Sequence, residues 1–284
     1  MTTEVSKEKK VSVFEKRIHE IDFFRGILII LVVLDHLFFN IYHLDTSNTF
    51  FEWYAHGEAR NIIQPLALMG FCFVSGVSCV FSKNNWKRSI ECIILWAVIA
   101  LGSNIIQLLA DNGVISGNDP EYRIDFNIIG VLGFSMLFYC FVQKRSWKAL
   151  LAAVLIGFLL STYMLPTLRI WLAKLCGSWY QTYPRPGNDI YYGDFRVGNP
   201  NFYLPFFWEP KAQADFVPLF PYCMFFFLGA LFSYFVYKPT KKSIIKHRYN
   251  WERPICFVGR HTLVIYLGQL IILIGIFSLL KAII

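Results

Sequence analysis

The sequence predicts an all-α, polytopic membrane helical bundle of about seven transmembrane helices, N-terminus cytoplasmic and C-terminus outside. Three observations carry that prediction. Of the 284 residues, 56% are hydrophobic and only 16% charged, against about 45–50% and about 25% in an ordinary soluble domain; mean hydropathy is +0.46. The apolar excess is gathered into uninterrupted runs about 20 residues long, the length that crosses a bilayer as a helix. The segments between those runs differ sharply in basicity. The same features exclude a disordered chain, a coiled coil and a simple soluble globule.

In chain order the runs lie near 21–43, 61–82, 89–110, 126–143, 147–165, 216–237 and 255–280. Stretches such as Ile27 to Leu34 and Phe225 to Leu228 lack the period-two alternation of barrel strands. Segments 1–20, 83–88, 144–148 and 238–253 hold 17 Lys and Arg, whereas 44–60, 111–125, 166–215 and the tail after 280 hold 8 over a greater length. The positive-inside rule places the first set in the cytoplasm. The net charge of +8 is therefore read as basic charge facing an anionic inner leaflet, with no nucleic-acid partner expected. The first run is too long for a signal-peptide core and no small-residue cleavage site follows it, so it stays as a signal anchor. Residues 1–20 form a basic cytoplasmic segment and 21–284 a single transmembrane domain, expected in a bacterial inner (cytoplasmic) membrane.

The outside connection 166–215 is far longer than ordinary structureless loops. It holds six of the twelve prolines and a series of aromatics from Trp171 and Trp179 through Tyr183 and Tyr192 to Trp208. Two readings stand: an aromatic belt at the headgroups, or a lid that stacks a sugar or other polar acceptor. The stretch Leu168 to Leu175 reads as a short interfacial helix. Of seven cysteines, only Cys176 falls in an outside loop, so no disulfide is expected. Cys-x-x-Cys, His-Glu-x-x-His, Walker and Gly-x-Ser-x-Gly patterns are all missing, and no metal is expected.

The first span carries the chemistry-bearing residues. It reads Glu20-Ile21-Asp22-Phe23-Phe24-Arg25-Gly26, then an apolar run to Asp35-His36. At about 100° per residue, Asp22, Arg25 and His36 share one face, and Asn40 and His43 extend it. Ionisable residues in a membrane helix are functional candidates by default. Arg25 and His36 are separated by eleven residues, roughly 16 Å at 1.5 Å per residue. A guanidinium suits phosphate recognition, and a histidine suits proton transfer near neutral pH. A donor with phosphates at one end and a reactive group one extended arm away, such as coenzyme A, fits that spacing. Two structural alternatives remain beside it: Asp22 paired with Arg25, and Asp35 paired with His36.

Several blocks resemble the heparan-alpha-glucosaminide N-acetyltransferase catalytic-domain family of membrane acyltransferases. Arg17 to Ile27, continuing to Asp35-His36, is similar to its opening signature, which is distantly shared with the O-antigen type O-acyltransferases. Phe71-Cys72-Phe73-Val74-Ser75-Gly76-Val77-Ser78 resembles the end of its second span, and Gly130 to Leu137 its fourth-span block. Asp215-Phe216-Val217-Pro218-Leu219-Phe220-Pro221 is similar to its Asp-aromatic-x-Pro-x-x-Pro motif. Val258-Gly259-Arg260-His261-Thr262 to Leu267 resembles its last motif. The chain departs where many bacterial relatives have histidines, at Gly130 and Gly268. The lysosomal branch has Asn where His36 stands and its catalytic His near the position of His56.

The resemblance implies an acetyl-CoA-dependent acyltransferase. The donor would enter from the cytoplasm, with Asp22, Arg25, Arg260 and His261 as its binding residues. His36 or His56 would be the base, with Asp35 orienting a partner, and the acceptor would be an amine or hydroxyl, as of a sugar or glycan, reached from outside. Transfer runs directly or through an acetyl-histidine. A homo-oligomer is left open. From a different class, a proton-coupled transporter would use Asp22, Arg25, Asp35 and His36 as its relay. The charge argument has a direct check: in a cysteine-free background, a cysteine at Ile190 should label from outside and one at Ser243 only after permeabilisation, and the reverse pattern would overturn the orientation.

Overall fold

The computed structural model of the chain describes residues 18–44, 48–56, 58–112, 124, 126–159, 180–183, 194–197, 217, 219–237, 243–245 and 249–283. The basic N-terminal segment up to residue 17, Cys176, the stretch 168–175 and most of the 166–215 connection lie outside the described residues.

Among the described residues the fold is helical. The helices are α1 (His19–Leu44), α2 (Thr49–His56), α3 (Glu58–Cys79), α4 (Asn85–Asp111), α5 (Ile128–Val142), α6 (Trp147–Leu159), α7 (Leu219–Val236), α8 (Glu252–Arg260) and α9 (Thr262–Ile283). Among the described residues, each of the seven apolar runs is mostly helical, the last one as two helices. Three details depart from the expectation. An extra short helix, α2, occupies the connection after the first run. The long connection holds two strands, β1 (Tyr180–Tyr183) and β2 (Asp194–Val197), paired antiparallel with Tyr180 opposite Val197 and Tyr183 opposite Asp194. The last run is broken, because α8 and α9 meet at a 79° bend. His261 sits at that break with φ −110° and ψ 21°. Its N–H reaches back to the carbonyl of Val258 at 3.1 Å, and its own carbonyl accepts from Ile265 at 2.9 Å, so one helix closes where the next opens.

Two described helices are long and apolar enough to cross a membrane, Asn85–Ala110 and Leu219–Val236, and the bent α8–α9 pair makes a third if taken as one broken span. α4 exposes Ile90, Ile94, Val98, Leu101, Ile105 and Leu108. An apolar face of that extent is stable against lipid and costly against water.

The chain forms two compact units, residues up to Ala67 with those from Val236 onward, and Leu68–Phe235. In the second unit, Asn127 caps α5 by accepting from the N–H groups of Ile129 and Gly130 at 3.1 and 3.2 Å. The hydroxyl of Ser89 on α4 donates to the carbonyl of Gly133 on α5 at 2.9 Å. Asn85 donates to both Cys79 and Gln143 at 2.9 Å, tying the ends of α3 and α5 to the start of α4. The rings of Trp96, Phe126 and Phe134 pack together at one end of this pair. α3 and α7 meet where a Cβ on Gly76 would overlap the carbonyl of Phe226 and one on Gly229 that of Phe73.

In the first unit, α1 is crossed by α8 and packed by α9 and α2. At the crossing, a Cβ on Gly26 would overlap the carbonyl of Ile255, and one on Gly259 that of Asp22. Small residues at such points let two helix backbones touch. Gly26→Ala and Gly259→Ala should therefore each destabilise the detergent-solubilised protein by about 1–3 kcal/mol in thermal unfolding. Gly102→Ala, where the added methyl meets nothing within 4 Å, should be neutral or stabilising by about 0.5–1 kcal/mol. Equal behaviour of all three would rule out so close a crossing.

Candidate functional site

The polar residues of α1 gather into two clusters in the first unit. At the N-terminal end, Asp22 is buried and accepts a hydrogen bond from Arg260 Nε at 3.0 Å. Arg260 closes α8, where a cation also meets the partial negative charge of the helix C-terminus. The observed partner of Asp22 is Arg260, which replaces the Asp22–Arg25 pair considered from sequence spacing. Arg25 stands one turn after Asp22 on the same helix, half-buried. His261 is exposed at the bend, its ring centroid 4.7 Å from that of Phe257.

The same end is held by two further contacts. His19 Nε2 lies 3.0 Å from Glu252 Oε2. Glu20, only 4% exposed, accepts from the hydroxyl of Ser243, from the N–H of Ile244 at 2.6 Å and from the hydroxyl of Tyr237 at 3.4 Å. It thereby fastens the segment leading from α7 toward α8.

The second cluster surrounds Asp35, which is 5% exposed. Its Oδ1 accepts from the hydroxyl of Tyr54 on α2 at 2.8 Å and from Nε of Arg60 on α3 at 3.0 Å. The Arg60 guanidinium also lies over the ring of Phe39, 3.8 Å from its centroid. Phe38 packs against Phe50, Phe51 and Tyr54, seating α2 on α1. Burial first, then the hydrogen bond to Asp35 and its charge, raise the Tyr54 phenol above its ordinary value, so its hydroxyl stays a donor.

His36 follows Asp35 on α1 and is half-buried. Its backbone carbonyl accepts from Asn40 Nδ2 at 2.7 Å. Among the described residues, Asp35 bonds to Tyr54 and Arg60 and not to His36, so the Asp35–His36 pair is not formed. The physical reason is rotational: adjacent helical residues project about 100° apart. α1 is one unbroken helix from His19 to Leu44, so Arg25 and His36 do share a face, roughly 16 Å apart along its axis. His56 is the last residue of α2, and its side chain lies outside the described set, as does that of His43. Among the described residues, no group of three or more His, Cys, Asp or Glu side chains could hold a metal ion.

Sequence reading passed over Arg60, Tyr54 and Glu20. Arg60 belongs to the segment 44–60 between the first two apolar runs, yet it falls inside the first turn of α3. The available signal was an arginine close before an apolar run, the same arrangement that singled out Arg25.

Glu20 generates a pH prediction. Burial pushes its carboxyl up, but the bonds from Ser243 and from the N–H groups of Glu20, Ile244 and Ile245 outweigh burial and hold it below the ordinary 4.5. A depressed carboxylate stabilises fully above the unfolded value and loses that contribution as pH falls through the folded one. Thermal unfolding from pH 6 to 3 should show the wild type losing stability below about 4.5 more steeply than Glu20→Gln. Parallel curves would mean that Glu20 gains nothing from these bonds.

Comparison with known proteins adds one match. The family described as Heparan-alpha-glucosaminide N-acetyltransferase, catalytic, matches residues 17–270. No curated protein and no solved structure matches the chain.

Proposed function

The chain belongs to the heparan-alpha-glucosaminide N-acetyltransferase catalytic family, a family of membrane acetyltransferases, and we propose that it moves an acetyl group from cytosolic acetyl-CoA to an acceptor amine or hydroxyl reached from the other side. The acceptor class that fits is a sugar or glycan. In this reading residues 21–284 act as one membrane domain of seven spans, with the loop 166–215 governing acceptor choice.

The observation that carries the reading is the continuity of α1. It puts a permanently charged guanidinium, Arg25, and a titratable imidazole, His36, on one face of one rigid helix, separated by about the reach of an extended pantetheine arm. Arg25, with Arg260 and His261 at the neighbouring bend, would bind the donor phosphates, and Asp22 would hold Arg260 in place. At the far end, His36 takes the proton from the acceptor N–H or O–H as that atom attacks the thioester carbonyl. The new bond to the acyl carbon forms, the C–S bond breaks, and the imidazolium returns its proton to the departing thiolate. A membrane interior keeps bulk water from competing for the thioester. His56, at the end of the neighbouring α2, is the alternative base.

The test compares His36→Asn with His56→Asn in single-turnover acetyl transfer, with CoA binding by calorimetry as the control for folding. Asparagine keeps some hydrogen bonding but cannot shuttle a proton near pH 7. The true base should lose roughly 10²–10⁴-fold in rate while donor affinity holds. Arg25→Ala should instead weaken CoA binding, with partial recovery in Arg25→Lys, where a point charge replaces a planar fork. A wild-type protein that binds no CoA would turn the assignment toward a proton-coupled transporter, whereas two histidine variants that both transfer at full rate would remove the histidine mechanism and leave the acyl transfer standing.

A further inference from the structure

Asp35, buried, and Arg60, half-buried, form an ion pair that the transfer chemistry above does not use. Such pairs are weak evidence for stability, because desolvating two charges offsets most of their attraction. Its retention beside a candidate base asks for another role. The pair joins three elements at one point: Asp35 lies on α1, Arg60 at the start of α3, and Tyr54 on α2 donates to the same carboxylate oxygen. Sequence adjacency does the rest. His36 directly follows Asp35, and His56 follows Tyr54 by two residues at the end of α2. α2 is only eight residues long, too short to hold a conformation by itself. Among the described residues its attachment to α1 includes the Phe38 aromatic contacts and the Tyr54 hydroxyl.

We propose that Arg60 and Tyr54 are positioning residues that, through Asp35, clamp the end of α2 and the start of α3 onto α1 and so set the place of His56 relative to His36. The catalytic part of this inference rests on the acyl-transfer reading; the positional part does not. Stacking on Phe39 fixes the plane of the Arg60 guanidinium, and Nε, the nitrogen nearest its stem, meets Asp35. A lysine has no Nε in that plane and cannot reproduce the contact. Tyr54→Phe deletes one donor and leaves the aromatic packing in place.

The experiment has two readouts. First, cysteines at positions 36 and 56, in an otherwise cysteine-free protein in detergent, are joined by bifunctional thiol reagents of graded length. With the clamp intact one length should dominate. With Arg60→Gln or Tyr54→Phe added, the distribution should broaden and the preferred product fall at least about tenfold for Arg60→Gln, roughly the effect of losing one charge-assisted hydrogen bond. Second, in the protein with native histidines, kcat for acetyl transfer should fall at least about tenfold in Arg60→Gln and Arg60→Lys while CoA affinity stays within about twofold, normalised to folded, CoA-binding protein.

An unchanged cross-linking pattern in both variants overturns the positioning role, as does a lower melting temperature with unchanged kcat. A pattern that shifts in the variants, together with a wild-type protein that transfers no acetyl group, would leave the clamp standing and remove the acyl-transfer reading instead.

Discussion

The first unit depends on one contact, the crossing of α1 and α8 at Gly26 and Gly259. No side chain separates the two backbones there, and the carbonyls of Ile255 and Asp22 occupy the space that a Cβ would need. The consequences follow from chain geometry. Gly259 directly precedes Arg260, and Asp22 lies one helical turn before Gly26, so bringing the glycines together brings the guanidinium to the carboxylate at 3.0 Å. The bend at His261 follows within one residue and sends α9 onto α1. Within a bilayer the hydrophobic effect does not draw one apolar helix to another; close packing and polar contacts must do so. Two glycines and one ion pair supply both at the same point, and Glu20 adds a second fastening by holding Ser243 and Ile244.

The charges on α1 divide the helix into ends with different tasks. Removing the arginine of either pair would leave a buried carboxylate without its counter-charge, a destabilising change, so Asp22 and Asp35 each constrain a neighbouring element. Asp22 holds the α8 terminus, and Asp35 holds α2 and α3. Arg25 and His36 stand beside these carboxylates, half-buried. A structural carboxylate beside each candidate functional group is what a preorganised site requires, since the supporting contacts, not the reacting groups, set its geometry. The second unit uses small residues in the same way, at Gly76 and Gly229.

Much of this was legible in the sequence. Runs of about 20 apolar residues specify helices because an unpaired backbone group in lipid costs several kcal/mol, and only internal hydrogen bonding avoids it. The position of Arg25 relative to His36 follows from the fixed rise of a helix, and family membership was readable from ordered blocks such as Gly259-Arg260-His261. The break at His261 was not legible, because an apolar run reports composition while a helix end is set by where the chain must turn to pack. The short strands around Tyr180 and Asp194 were likewise hidden in a stretch whose prolines and aromatics read as an irregular loop.

The partners of the buried charges show the division most directly. From spacing alone, Asp22 could pair with Arg25 and Asp35 with His36, both local choices. The structure gives Asp22 to Arg260, 238 positions away, and Asp35 to Arg60, 25 positions away. The sequence by itself determined the membrane-helix composition, the polar stripe of α1 and the family. Tertiary structure decided which charges neutralise which, because that depends on which helices the glycines allow to touch, a condition that no local pattern of residues records.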